Sequence, residues 1–237
     1  MNRPEARNAA NGALARGIAA ALDELDADPG LSVAILTGAG GTFCAGMDLK
    51  AFATGDLPMI EGRGFAGIAM APPSKPIIAA VEGYAVAGGF EIALACDLIV
   101  AASDARFGLP ETKRGLVAGG GGLLRLPHRM PAALALEYAL TGEHFGAEDA
   151  ARWGLVNHVS DHGGALNAAI TLARRISANG PLAVRATKQV FTSAAAWSED
   201  EKWERQQEIL DPVFRSADAG EGARAFAEKR NPVWRGK

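Results

Sequence analysis

Leu14, Ile18, Leu22 and Leu25 recur every three or four positions. That spacing predicts an amphipathic helix over 11–26, stopped by Asp28-Pro29-Gly30. The pattern then changes. Short apolar runs closed by glycine or a turn, SVAILTG (32–38), KPIIAAVEG (75–83) and DLIVAAS (97–103), each predict a buried strand. Between the last two lies AVAGGFEIALACD (85–97), where two glycines open an apolar helix. AFATGDLPMIEGRGFAG (51–67) mixes glycine, proline, charge and apolar residues without a period, and is expected to be a mobile loop or lid. From Pro131 onward helical patterns dominate, broken by GLVNHVS at 154–160. Strands separated by helices predict an α/β core with parallel pairing, continued by a helical C-terminal portion.

Glu91 is out of place in this pattern. A carboxylate beside Ile92, Ala93, Leu94 and Ala95 is costly to ionise unless something pairs or uses it. The glycines in front of it coincide with a helix start, whose first N–H groups lack internal acceptors and carry partial positive charge. Such a site holds an anion, including the oxyanion of a polarised carbonyl. The structural alternative is glycine for close strand–helix packing, with Glu91 serving the helix dipole. Glu111 follows Pro110, twenty residues on (111 − 91 = 20), with a strand and a turn expected between. The two carboxylates could therefore return to one end of the sheet and handle protons on both sides of a reacting bond. The alternative is a solvated turn in which Glu111 pairs with Lys113 or Arg114. Spacing leaves both open.

Composition narrows the partners. Twenty-seven acidic against 24 basic residues give a net charge of −3, which offers no nucleic-acid surface. Cys44 and Cys96 form no metal-ligand spacing and read as reduced thiols. The four histidines are scattered without metal spacing. TGAGGTF (37–43) and AGGGGLLRL (118–126) complete neither a Walker loop nor a dinucleotide fingerprint, and read as turns. With no signal-peptide pattern and no apolar run long enough for a bilayer, the expectation is a soluble cytoplasmic protein without membrane or nucleic-acid partners.

Taken in order, NRPEARNA (2–9), TGAGGTFCAGMDLK (37–50), KPIIAAVEGYAVAGGFEIALACDLIVAASDARFGLPE (75–111), GEHFGAEDAARWGLVNHV (142–159) and AFAEKR (225–230) resemble the enoyl-CoA hydratase (crotonase) family nearly end to end. The resemblance implies an α/β spiral of ββα turns over residues 1–190 and a helical oligomerisation region over 191–237, giving a homotrimer or dimer of trimers. It implies a coenzyme A thioester substrate and no cofactor beyond that coenzyme A. The thioester oxygen would be held by the backbone N–H groups matching Cys44 and Gly88. Ala45, Gly46, Met47 and Asp48 match the backbone that recognises the adenine of CoA. Phe226 and Lys229 match a C-terminal pair that reaches the CoA of a neighbouring subunit. Glu91 and Glu111 match the two glutamates of true hydratases: the first activates water for addition to the β-carbon, the second delivers a proton to the α-carbon. Gly119 matches the backbone that helps place that water.

The departures are specific. AGGGGLLRL lacks the proline and the polar residues that typical hydratases carry there, which implies a looser loop. GGFE, LLRLP and FAEKRNPVW are closer to the carnitinyl-CoA dehydratase branch. The chain opens where the family has already run through an N-terminal β-hairpin, implying either a late-placed start or a version without those strands. Two alternatives remain: a Δ3-Δ2 enoyl-CoA isomerase, which generally works with one carboxylate, and a non-catalytic acyl-CoA-binding homologue. Thioester hydrolysis is disfavoured, because Ala118 and Gly119 supply no acid.

Overall fold

Ile77-Ile78-Ala79-Ala80-Val81 is buried at every position, as a strand covered on both faces must be. In the computed structural model, which describes residues Met1–Lys237, it is one of nine strands: β1 (Ala34–Thr37), β2 (Met59–Ile60), β3 (Gly64–Phe65), β4 (Ile77–Val81), β5 (Tyr84–Val86), β6 (Leu98–Ala102), β7 (Arg106–Gly108), β8 (Phe145–Gly146) and β9 (His158–Ser160). The ten α-helices are α1 (Gly12–Ala27), α2 (Leu49–Ala53), α3 (Gly88–Ala95), α4 (Gly122–Arg125), α5 (Ala132–Thr141), α6 (Ala147–Arg152), α7 (Ala165–Ser177), α8 (Pro181–Ser193), α9 (Lys202–Phe214) and α10 (Ala217–Ala227).

The main sheet runs β1-β4-β6-β9 with every pair parallel. Alternation along β4 and β6 divides the core. Ile78, Ala80 and Val100 pack with Ala169, Leu172 and Ile176 of α7. Ile77, Ala79, Val81, Ile99 and Ala101 share the larger cluster with Leu14, Ile18 and Leu22 of α1 and the apolar residues of α3. The predicted α1 starts one residue later than expected, because the Asn11 side chain caps it by accepting the Leu14 N–H. Lys75 closes its other end, its buried ammonium donating to the carbonyls of Leu25 and Asp28.

A second sheet pairs β5 parallel to β7 and β7 antiparallel to β8. Two strands, β6 and β7, therefore separate Glu91 from Glu111, rather than the one expected. Beneath this sheet Phe90, Phe107 and Phe145 form a cluster of one tilted, one edge-on and one stacked pair, with centroids 5.5 to 5.9 Å apart.

The 51–67 segment is more ordered than a loop. Asp48 caps α2 through the Lys50 and Ala51 N–H groups, and β2 and β3 pair as a small antiparallel hairpin. Two-residue strands are too short for any periodicity to announce them. At the C-terminal end, α8 runs through residues 190 and 191, so the domain boundary expected there falls inside a helix.

Candidate active site

Ala87 ends the turn out of β5 at φ 52°, an unfavourable conformation for a side chain with a Cβ. It aims the first amides of α3 into a cleft. Gly46 packs against this corner: a Cβ there would lie 2.9 Å from that of Ala87 and 3.3 Å from the Gly88 nitrogen. The cleft has a volume of about 1060 Å³ and is lined on this side by Ala45, Met47, Gly88 and Glu91. Glu111, Gly119 and Gly120 line it too. The two carboxylates expected to converge thus share one cavity, and no ion pair of Glu111 with Lys113 or Arg114 forms.

The environments of the two carboxyls differ. Glu91 is 3% exposed, and burial pushes its pKa up. The Gly122 and Gly120 amides and the Arg125 charge oppose that rise. One carboxylate oxygen, Oε1, accepts the Gly122 N–H at 2.9 Å. Glycine is required in this loop, since a Cβ at 120 would lie 2.7 Å from Oε2 of Glu91, and one at 122 would lie 2.9 Å from its Cγ. Glu111, at the start of a 3₁₀ turn over Pro110–Arg114, is also shifted upward, by burial first and by the neighbouring Glu91 charge. Its Oε2 is buried without any hydrogen-bond partner. Hydrogen bonds to the charged form favour a base, and their lack favours the protonated acid. Both carboxyls are thus pushed up by burial, Glu91 against the opposing Gly122 and Gly120 amides and Glu111 against its own backbone N–H.

The amide assignment at Cys44 does not fit this geometry. Its N–H donates to the Tyr84 carbonyl at 2.9 Å, and its carbonyl accepts the Val86 N–H at 3.1 Å. Both bonds belong to the parallel bridge that pairs Cys44 with Ala85. The Ala45 N–H is also engaged, with the Arg7 carbonyl at 3.1 Å. On this segment Met47 lines the cleft and has an N–H without an acceptor, as Gly88 does across from it. The Cys44 thiol is fully buried, donates to the Gly46 carbonyl and has its pKa pushed up to about 11 by desolvation, so it supplies no nucleophile to the cleft.

Of the four residues expected to read adenine, Ala45 and Met47 line the cleft and Gly46 and Asp48 do not. The Asp48 carboxylate is held by Arg3 at 2.9 Å and by the cap of α2. Phe226 is 88% exposed at the end of α10, and neither it nor Lys229 lines the cleft of its own chain. The pattern of the sequence also missed several lining residues. Phe65 lies against two corners of the cleft: its ring would meet a Cβ at Gly88 within 2.4 Å and one at Gly120 within 3.2 Å. His144 lines the rim, where burial and the charges of Lys113 and Arg114 lower its pKa. No local signal marks either residue, because the chain returns to the cleft from 65 and 144 only through tertiary packing.

The enoyl-CoA hydratase/isomerase family profile matches residues 1–237. A carnitinyl-CoA dehydratase of Proteus mirabilis (strain HI4320) is 44% identical over 218 residues, covering 89% of this chain and 84% of the relative. The enoyl-CoA hydratase EchA19 of Mycobacterium tuberculosis (strain ATCC 25618 / H37Rv) is 45% identical over 243 residues, covering 98% and 90%. Among solved structures, the enoyl-CoA hydratase EchA1 of Mycobacterium marinum superposes with a TM-score of 0.99 at 62% identity, covering 100% of this chain and 94% of that one.

Proposed function

The chain belongs to the enoyl-CoA hydratase/isomerase family, and from that premise we propose that it adds water across the 2,3 double bond of a 2-enoyl-CoA thioester, and in reverse dehydrates the 3-hydroxyacyl-CoA. The observation that carries this reading is the pair of carboxyls on one cleft, buried Glu91 accepting a backbone N–H and half-buried Glu111 with one oxygen buried and left without a partner. Two such groups suit hydration, in which one proton leaves water and another reaches carbon, better than a one-carboxylate isomerisation.

In this mechanism the thioester oxygen accepts the free N–H groups of Gly88 and Met47, and the helix-start charge of α3 stabilises the enolate that forms. Ionised Glu91 takes a proton from water as the oxygen bonds to the β-carbon. Protonated Glu111 gives its proton to the α-carbon as the enolate collapses. The Gly119 amide is assigned to the water. Glu91 ends protonated and Glu111 ionised, and one proton exchanged between them or with solvent resets the pair. Every step uses groups of the chain and substrate, so no cofactor enters beyond the coenzyme A that the substrate carries.

We also assign the exposed apolar side chains Trp203, Phe214 and Phe226, at 70, 71 and 88% exposure, to contacts between copies in a homotrimer, with Lys229 placed toward a neighbour's CoA. No helix is long and apolar enough to cross a membrane, and we assign the protein to the cytoplasm. The test is loss of the conjugated thioester absorbance on trans-2-enoyl-CoA substrates. Glu91→Gln and Glu111→Gln are each expected to lower turnover by roughly 10²–10⁴-fold, with binding of a saturated acyl-CoA little changed. Near-native turnover in either variant would remove that glutamate from the mechanism.

A further inference from the structure

Five large apolar side chains stay more than half exposed along one cavity: Leu49, Phe52 and Met59 at 55, 51 and 55% on one wall, Leu116 and Val117 at 51 and 74% on the other. Water is a poor neighbour for this much clustered apolar surface, and contiguous exposed patches mark binding sites. The walls are continuous with Glu91, Glu111 and Gly88, so whatever covers them is attached to the group reacting there. A volume of about 1060 Å³ lies just above the range of roughly 300–1,000 Å³ for small-molecule sites. Five apolar side chains along the cavity offer more contact surface than a four-carbon acyl group can fill.

The charges in the cavity decide the chemistry of the occupant. Beyond the two catalytic carboxyls, the lining carries Lys113, Arg114, Glu143 and His144, two fixed cations against one carboxylate. The Glu91 carboxylate is already engaged by the Gly122 N–H. Aromatic faces that would hold a quaternary ammonium come only from Phe52 and Phe65, and Phe65 is 9% exposed. One open ring does not make a cation cage. We infer that the acyl group of the natural substrate is an uncharged hydrocarbon of eight or more carbons, held between the Leu49–Phe52–Met59 wall and the Leu116–Val117 wall, and not the trimethylammonium-bearing group of a carnitinyl thioester. This rests on reading the cleft as the thioester site, and it assigns specificity to residues that take no part in proton transfer.

The experiment compares kcat/KM for trans-2-butenoyl-, hexenoyl-, octenoyl- and dodecenoyl-CoA and for crotonobetainyl-CoA. Burial of each methylene is worth up to about four-fold, so octenoyl-CoA is expected to exceed butenoyl-CoA by at least about ten-fold, with crotonobetainyl-CoA below both. Val117→Asp and Met59→Glu should each collapse the octenoyl-to-butenoyl ratio, a change that general destabilisation would not produce. A maximum at butenoyl-CoA, or crotonobetainyl-CoA above octenoyl-CoA, overturns the inference. Should no thioester turn over, the hydratase reading fails, and calorimetric binding of octanoyl- against butyryl-CoA decides the inference alone. Tighter octanoyl-CoA by ten-fold or more, as a buried chain implies, supports it, and equal affinities overturn it.

Discussion

Replacing Gly120 with alanine changes no functional group and tests whether the Glu91 carboxylate is held where the mechanism needs it. Gly120 does not have a positive φ, so the backbone accepts alanine without strain and the perturbation is steric. The new Cβ would lie 2.7 Å from Oε2 of Glu91 and 3.2 Å from the Phe65 ring, where ordinary contact begins at 3.4 Å. The carboxylate is the softer neighbour and must retreat by the difference from that contact, 3.4 − 2.7 = 0.7 Å. A misplacement of 1 Å at a reacting group costs about 10²-fold, so a shift of this size is expected to lower turnover by roughly 25-fold. Thermal stability should change little, because the lost freedom of the unfolded glycine, about 0.4–1 kcal/mol, offsets part of the clash. Gly119→Ala is the internal comparison: its Cβ meets only the Val117 carbonyl at 4.0 Å, its N–H is retained, and turnover should stay within about three-fold, short of the misplacement effect. Initial rates on an enoyl-CoA, a thermal melt and binding of a saturated acyl-CoA are measured for both variants. A folded, ligand-binding Gly120→Ala enzyme with near-native turnover would refute the steric argument, and so would equal damage from both substitutions.

Glu111 has a pKa raised by burial and by Glu91, so the folded protein holds its proton more tightly than the unfolded chain. Its contribution to stability is lost as pH rises through the interval above the ordinary carboxylate value. Glu111→Gln should flatten the decline, by at most about 1.4 kcal/mol per pH unit, in denaturant melts from acid to neutral pH. An unchanged slope would show that the group titrates normally. The Cys44 thiol, pushed up to about 11, should resist alkylation in the native enzyme at neutral pH, and Cys44→Ala should retain activity, since neither its thiol nor its amide faces the cleft. Rapid alkylation with loss of turnover would contradict this. Light scattering is expected to give a trimer or hexamer, with Lys229→Ala weakening CoA binding modestly and leaving assembly intact; a stable active monomer would exclude the trans-subunit arrangement.

The sequence by itself determined what is written in local order. Helical spacing fixed α1 to within one residue at each end, apolar runs located β1, β4 and β6, and the glycine pair marked the start of α3. Ordered motifs identified the family and the two carboxylates, because both the helix start and the Pro-Glu turn are carried by contiguous residues. Whether an amide is free is another kind of fact. Cys44 and Met47 are three positions apart in one motif, and only the pairing of Cys44 with Ala85, forty-one residues away (85 − 44 = 41), ties up the first and leaves the second. Likewise the two-residue hairpin β2–β3 exists because tertiary packing sets Phe65 against Gly88 and Gly120. The surroundings of Glu91 and Glu111 follow the same rule: they depend on which backbone N–H groups reach each oxygen. Such contacts join segments distant in the chain, and no periodicity along the chain encodes them.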